Sequence, residues 1–505
     1  MELFLISLEN LLRLDVILAL LIGAVGGVII GAIPGVGPAI AIAILLPATF
    51  KLEPIVGITL LLGIYGASMY GGAIPAVLIN TPGTPVNALS TYDGYSLTRQ
   101  GQSRRALSLA YSASFFGGIF SVICLILLAP SIAAVAPYFG SRDILMAALL
   151  GVVLVIIAHR GHSFAAAMLV FFGMFLSTVG MEAIRYSMRF TFSQSWLMSG
   201  LDLIVVLLGL FALSQAFLLL VQPNEKPQAP ELKGRIFGGF TEILRHKRVA
   251  SASAGFGVIM GIIPGVGEFL AQFFSYTLAQ RISKKPERFG RGAPEGLIAS
   301  ETANNSVPAA AMVPLLALGI PGEALTAMML SVFYVHGIIP GPKLFENNPE
   351  FLTTLYICLF VVNLLILGFL LLSTNTILKV IRIPTRFLGV CIFVLTFVGV
   401  YSLRNSIVDC VICAVFGLLG YILKRLQLPI VPIVLGMVLG NIMEQKFRAS
   451  LARVETPLDF IDRPVSATIF VFIVLALIGQ GVSIVRARKT KALSQYECGR
   501  EESGS

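Results

Sequence analysis

Charge is scarce in this 505-residue chain. Asp, Glu, Lys and Arg together make up 12% of it, against roughly 25% in a soluble globular protein. That shortage excludes a water-soluble helical fold, which needs a polar face on every helix. A mean hydropathy of +0.90 agrees. Catalytic signatures are also missing. No Gly-x-x-x-x-Gly-Lys-Ser/Thr loop is present, so nothing here would hydrolyse a nucleotide. No H-E-x-x-H or G-x-S-x-G occurs, and the four histidines, His159, His162, His246 and His336, are scattered. An enzyme is not expected, nor a cofactor, nor a metal centre beyond a sodium ion. Cysteines are few, and Cys410-x-x-Cys413 lacks a second pair or a nearby histidine; it reads as small apolar packing residues. The N-terminus has Glu2 and Glu9 and no basic flank, so no removable signal peptide is expected.

What the chain does have is long apolar runs: Val16 to Ile33, Ala106 to Ala129, Leu201 to Val221, Phe351 to Leu372 and Val465 to Val485. Several reach the ~20 residues that cross a bilayer. The expected fold class is an all-α polytopic membrane protein with on the order of a dozen membrane segments. The net charge of +10 is no nucleic-acid footprint. The basic residues form short clusters between apolar runs, as in loops facing the cytoplasm. The polar, proline-bearing stretch from Gln222 to Arg248 reads as a cytoplasmic linker. The expected organisation is transmembrane repeat one over 1–222, linker over 223–248, transmembrane repeat two over 249–485, and a polar cytoplasmic tail over 486–505.

The repeats show themselves in a shared interruption. Gly31-Ala-Ile-Pro34-Gly35-Val-Gly37 returns as Gly261-Ile-Ile-Pro264-Gly265-Val-Gly267. Each copy is followed by a second break, Asn80-Thr81-Pro82-Gly83-Thr84-Pro85 in one half and Gly319-Ile320-Pro321-Gly322-Glu323 in the other. Proline removes a backbone donor and glycine resists a regular helix. In hydrocarbon the freed backbone groups survive only where protein or a watery cavity shelters them. Paired breaks at matching places in two halves point to a transporter's binding site.

The loops suggest that the halves are inverted. After the first break, repeat one carries Lys51-Leu-Glu53, whereas repeat two carries Arg281, Lys284, Lys285, Arg288 and Arg291. After the second break the balance reverses: Arg99, Arg104 and Arg105 in repeat one, Lys343 with Glu346 and Glu350 in repeat two. If basic loops face the cytoplasm, equivalent loops face opposite sides. Parallel repeats with scattered charge are the alternative. Further along, Gly173-Met174 resembles Gly436-Met437.

The breaks carry candidate chemistry. A re-entrant hairpin with its tip at Thr81 to Thr84 would expose backbone N–H groups and two hydroxyls, donors that suit a carboxylate. A proline-kinked helix pair would explain the same residues. Asn80, Thr81, Gly83 and Thr84 are the substrate-binding candidates there. In repeat two, Glu301-Thr-Ala-Asn304-Asn305-Ser306 is unusually polar for its apolar surroundings. Asn304, Asn305, Ser306, Pro321 and Gly322 are the matching candidates, unless Glu301 pairs with a loop cation such as Arg291 and the asparagines cap a helix. Glu268, Glu301 and Glu323 are candidates for ion coupling. Glu268 and Glu323 each follow a Pro-Gly break directly, where helix capping is the competing role. His336 and Asp93 stand in corresponding places behind the second breaks, as hairpin-closing hydrogen-bonding groups.

These motifs, in order, resemble the large membrane subunit of the tripartite tricarboxylate transporter family. The resemblance rests on Gly31-x-x-Pro-Gly-x-Gly37, Asn80-Thr-Pro-Gly-Thr-Pro85 with Asp93-Gly94, Glu301-Thr-Ala-Asn-Asn305, Gly319-Ile-Pro-Gly322, and His336-Gly337 with Pro340-Gly-Pro342. It spans about Leu18 to Leu451. It implies a bacterial inner-membrane permease that works with a small membrane subunit. A periplasmic solute-binding protein would deliver a di- or tricarboxylic acid, and a sodium or proton gradient would drive uptake. A channel, or an intramembrane hydrolase built on Glu301 or Asp409, are the alternatives.

Overall fold

The computed structural model describes residues 2–34, 36–159, 161–182, 186–221, 238–265, 267–380, 385–451 and 454–482. Gly35, positions 223–237 of the expected linker and the whole expected tail 486–505 lie outside the described residues. Among the described residues the fold is helical apart from a ribbon pairing Gly180–Met181 with Met188–Arg189. Nine of the described helices are long and apolar enough to cross a membrane, and four shorter apolar helices accompany them. The chain is an all-α, multi-pass membrane protein.

The first half runs α1 (Glu2–Leu12), α2 (Leu14–Gly31), α3 (Pro38–Thr49), α4 (Pro54–Ile79), α5 (Ala88–Arg99), α6 (Ser103–Val135), α7 (Ser141–Ala158) and α8 (Ser163–Ser177). It closes with α9 (Leu203–Leu207), a π-helical turn (Leu208–Leu213) and α10 (Ser214–Val221). The second half repeats the order after the short α11 (Gly239–Arg245): α12 (Lys247–Ile262), α13 (Gly267–Ile282), α14 (Pro294–Leu318) and α15 (Ala324–Val335). Then follow α16 (Pro342–Asn347), α17 (Pro349–Val380), α18 (Thr385–Arg404), α19 (Ile407–Arg425), α20 (Val431–Leu451) and α21 (Pro464–Val482). Proline at the first helical position starts α3, α4 and α14, where its missing N–H costs nothing.

Helices in lipid gain little from burying apolar surface against one another, so close packing decides their pairing. On α2, Gly23, Gly27 and Gly31 bring the backbone onto α4; a Cβ at Gly31 would stand 2.2 Å from the Ser68 carbonyl oxygen. On α12, Gly257 and Gly261 lie on Ala303 and Val307 of α14 in the same way. Contacts advance together along both pairs, so α2 runs parallel to α4 and α12 parallel to α14. The chain then turns at the first break and α3 or α13 returns. The antiparallel hairpins are therefore α2–α3 and α12–α13, with the first breaks at their tips.

The second breaks do something else. The amide of Asn87 donates to the Met69 carbonyl (3.3 Å), and Gly94 lies on Val77, so α5 runs parallel to α4. Between them Asn80 to Gly83 steps back along the end of α4. Asn80 takes the left-handed conformation at φ 56°, and Gly319 takes it at φ 71° in the other half. Gly is free there and Asn tolerates it. The returns match as well: Thr81 N donates to Pro75 O, and Ile320 N to Pro314 O, both at 3.3 Å. Each second break is thus a short stretch that returns along the preceding helix as far as Gly83–Thr84 or Gly322–Glu323.

The loops group as inversion requires. At one end the basic loops meet: the Gln100 amide donates to the Arg291 carbonyl (2.9 Å), and Arg105 pairs with Glu242 (2.7 Å). There Asp93 caps the start of α14 by accepting from the N–H groups of Gly292 and Ala293. At the other end Arg13 pairs with Glu53 (2.6 Å), and His336 lies against Gly57 and Thr49. His336 does not close its own loop as the sequence suggested; its Nε2 has no partner among the described residues. Gly173 and Gly436, alike in sequence, are not equivalent in order. They sit on α8 and α20, which cross there, Gly173 on Ile433 and Gly436 on Val170.

Two outcomes follow. Gly31→Val should lower stability by about 3 kcal/mol through overpacking, read as a drop in the thermal unfolding midpoint in detergent. Gly26→Ala, with nothing within 4 Å of the added Cβ, should leave the midpoint unchanged or raise it. Separately, cysteines replacing Arg104 and Lys284 should react with an impermeant thiol reagent from the same side of the membrane. A cysteine replacing Lys343 should react from the other.

Candidate functional site

The four breaks converge. A cavity of about 510 Å³ is lined by Gly37 from the first break, Thr84 from the second, Gly265, Gly267 and Glu268 from the third, and Glu323 from the fourth. That volume is in the range of small-molecule sites, roughly 300–1,000 Å³. The breaks also hold each other. Gly265 N donates to Gly322 O at 2.6 Å. Gly83 presses on the Gly31 carbonyl and Gly322 on the Gly261 carbonyl, the same contact in both halves.

The cavity has an acidic side. The hydroxyl of Tyr65, fully buried on α4, donates to Glu323 and lies 3.3 Å from Glu268 Oε1. Both carboxylates therefore reach one phenol of the opposite repeat. Neither forms an ion pair among the described residues. Glu323 begins α15, but the hydroxyl accepting from its N–H is that of Thr326 (2.9 Å), while its carboxylate crosses to Tyr65. Capping alone does not account for that direction.

A second polar centre lies beside the cavity, between α14 and the first repeat. Glu301 is fully buried. Its carboxylate accepts from Asn87 (3.2 Å), Ser114 (3.0 Å), Asn305 (3.4 Å) and Ser90. All four donors are neutral, and Arg291 is not among its partners. The hydroxyl of Thr84 donates to Asn87 Oδ1, so a hydrogen-bonded chain runs from the cavity wall through Asn87 to Glu301. Buried polar atoms without any partner in protein call for a water, an ion or a function. Among the described residues these include both side-chain polar atoms of Asn304 and Oδ1 of Asn305. Asn305 also lines a pocket of about 20 Å³ shared with Tyr65, Tyr70 and Asn363, room for about one water molecule.

The structure thus divides the sequence candidates. Thr84, Gly37, Gly265, Gly267, Glu268 and Glu323 share the large cavity. Asn305 and Glu301 share the neighbouring centre. Ser306 donates to the carbonyl of Gly117 on α6 (3.1 Å), a bond between helices, and to that of Thr302 in its own helix (2.7 Å). Asn80 and Thr81 are exposed, Asn80 forming the helix end that Gly319 forms in the other half. Gly83, Pro321 and Gly322 are buried in the fold of the breaks, and Pro34 and Pro264 shape them without lining the cavity. Asp409 is paired with Arg404 at 2.9 Å. Among the described residues no group of three or more His, Cys, Asp or Glu forms a metal cluster.

Sequence reading overlooked four residues in or beside the cavity. Tyr65 and Gln215 each sit in an apolar stretch that does not mark them out. His159 is one of four scattered histidines, and nothing in the sequence marks Lys424 beside Arg425. All but Tyr65 line the cavity. Tyr65 alone could have been suspected, since α4 also carries Tyr70 in an otherwise apolar stretch.

Comparison with known proteins bears on what such a site serves. The model of the tripartite tricarboxylate transporter TctA family matches residues 17–435. The chain belongs to this family. It is 31% identical over 477 residues to an uncharacterised 52.8 kDa protein in the TAR-I ttuC′ 3′ region of Agrobacterium vitis, covering 94% of this chain and 95% of that protein. An uncharacterised protein in the TAR-II ttuC′ 3′ region of the same organism is 33% identical over 228 residues, 44% of this chain and 94% of that protein. No solved structure matches the chain. Family membership makes this chain a component of a membrane transport system that includes a binding protein and a small subunit. The matched segment contains all four breaks, the large cavity and the Glu301 centre.

Glu301→Ala should destabilise this transporter subunit by about 3 kcal/mol, because four buried donors lose their acceptor. Glu301→Gln, which keeps an acceptor oxygen, should cost less. Thermal unfolding of the two variants in detergent checks the order.

Proposed function

We propose that this chain is the permease subunit of a secondary importer for a di- or tricarboxylic acid, with the substrate held in the cavity where the four breaks meet. The observation that carries the reading is the convergence itself. Two pairs of broken helices from opposite repeats end on one cavity, lined by a hydroxyl, interrupted backbone and two carboxylates. Broken helices of this kind supply unbonded N–H groups to an anion and unbonded carbonyls to a cation. Thr84 and the deep turns are the substrate side. Glu268 and Glu323, sharing Tyr65, are the coupling side, where a proton or a sodium ion would neutralise acids that an anionic substrate otherwise meets bare. Glu301 is a further coupling candidate, because Asn305 Oδ1 next to it is buried and unpartnered.

In the cell the reading puts the protein in a bacterial inner membrane, with the Arg105 end in the cytoplasm. A periplasmic solute-binding protein would deliver the acid, and a small membrane subunit would complete the assembly. Uptake would be driven by the ion gradient, with no nucleotide consumed.

The test is uptake of a radiolabelled acid into right-side-out vesicles that carry the chain and its small subunit, with the binding protein supplied outside. Glu323→Gln keeps size and hydrogen bonding but removes charge. The expected result is loss of the response to an imposed sodium or pH gradient, with binding of the acid retained. Unchanged gradient dependence in both Glu323→Gln and Glu268→Gln would remove these acids from coupling. Uptake that does not saturate would remove the carrier reading.

A further inference from the structure

The cavity needs a positive group if it is to hold an anion, and none of the four breaks supplies one. Another part of its wall does. Lys424 lines it, together with Gln215, Phe211 and His159. Lys424 stands in the last turn of α19, a place where lysine ordinarily neutralises the helix dipole or turns out to the membrane surface. Its neighbour Arg425 behaves that way, with its guanidinium 5.9 Å from the Tyr421 ring centroid on the same helix. Lys424 turns the other way. Its Nζ donates across to Gln215 Oε1 (2.9 Å) and approaches the Phe211 carbonyl (3.5 Å). Both acceptors are neutral, and among the described residues Lys424 forms no ion pair with a carboxylate.

The packing explains the direction. Cys413, Gly417 and Gly420 lie on one face of α19 and press on the π-helical turn and the start of α10. Lys424 is the next residue on that face, one turn on from Gly420. A π-turn widens the helix it interrupts, a feature common at functional sites. Here it faces the stripe that delivers the ammonium group. The two acids of the cavity are held at Tyr65 instead.

We propose that Lys424, positioned by Gln215 and the π-turn, is a carboxylate-binding subsite of the cavity. It would take one carboxylate of a multiply charged acid while the breaks take another. The proposal rests on the reading of the cavity as the substrate site and adds the residue that counts the substrate's charges. An acid with two or three carboxylates engages both places, and a monocarboxylate engages one.

Thermal unfolding of the purified full chain in detergent, titrated with citrate, succinate and acetate, tests it. Citrate or succinate should stabilise the unaltered chain at lower concentration than acetate. Lys424→Gln should weaken the multiply charged ligands about ten- to a hundredfold, the loss of one hydrogen bond to a charged group, and bring them to the level of acetate. Lys424→Arg should restore most of the preference, and Arg425→Gln should leave it intact. Ligand-free midpoints should not change. If Gln at 424 lowers the ligand-free midpoint, Lys424→Met decides by the same criterion. A variant that keeps the full preference for citrate or succinate overturns the subsite and leaves the cavity reading standing. Failure of all three acids to stabilise the unaltered chain overturns both.

Discussion

Everything in this structure depends on sheltering interrupted backbone inside a membrane. A helix satisfies its own N–H and carbonyl groups, and a break leaves several of them bare in a medium that offers no water. One break could hide against a neighbouring helix. Four of them, two in each half, instead cover one another: Gly83 on the Gly31 carbonyl, Gly322 on the Gly261 carbonyl, and Gly265 bonded to Gly322. Only glycine allows such approach, which is why the motif keeps it at these places in both halves. The space left between the stacked breaks is the cavity.

The same contacts explain why the repeats must interlock. Each hairpin, α2–α3 or α12–α13, lies along the long helix of its own half, α4 or α14, through a stripe of small residues. The polar groups of each half are then completed by the other. Tyr65 from the first half serves Glu268 and Glu323 of the second. Asn87, Ser90 and Ser114 of the first half serve Glu301 of the second. Neither repeat satisfies its buried acids alone. A rearrangement of one half against the other would change the surroundings of all three carboxylates together, a physical route by which ion occupancy and access to the cavity could be linked.

Symmetry is broken where chemistry is needed. Asn80 and Gly319 perform the same left-handed turn, yet the first is exposed and the second is half-buried against the Pro340 carbonyl. Pro38 and Thr84 stand where Glu268 and Glu323 stand in the second half, so all the acidity on the cavity comes from one repeat. The positive group on the cavity wall comes from α19 in that same repeat, held by α10 of the other.

Much of this was legible without coordinates. Apolar runs of spanning length, a duplicated Pro-Gly motif and reversed loop charges are properties of local composition and order. They determined a polytopic helical protein, two halves and the places where helices must break. The family's ordered motifs extended that to a transport system. What the sequence left open depends on direction and distance. Antiparallel hairpins formed at the first breaks, while the second breaks step back along the helix before them, because glycine stripes bind α2 to α4 and α12 to α14, and no local signal states which partner a stripe meets. Asn304, Asn305 and Ser306 followed one another in sequence but, 100° apart around a helix, they faced different neighbours. Lys424 and Gln215, far apart in the chain and ordinary in their own segments, became a pair only when α19 packed on the π-turn. Which residues break a helix is a local matter of missing donors and absent side chains. Which of them face a common cavity is decided by how helices cross, and that exists only in the assembled fold.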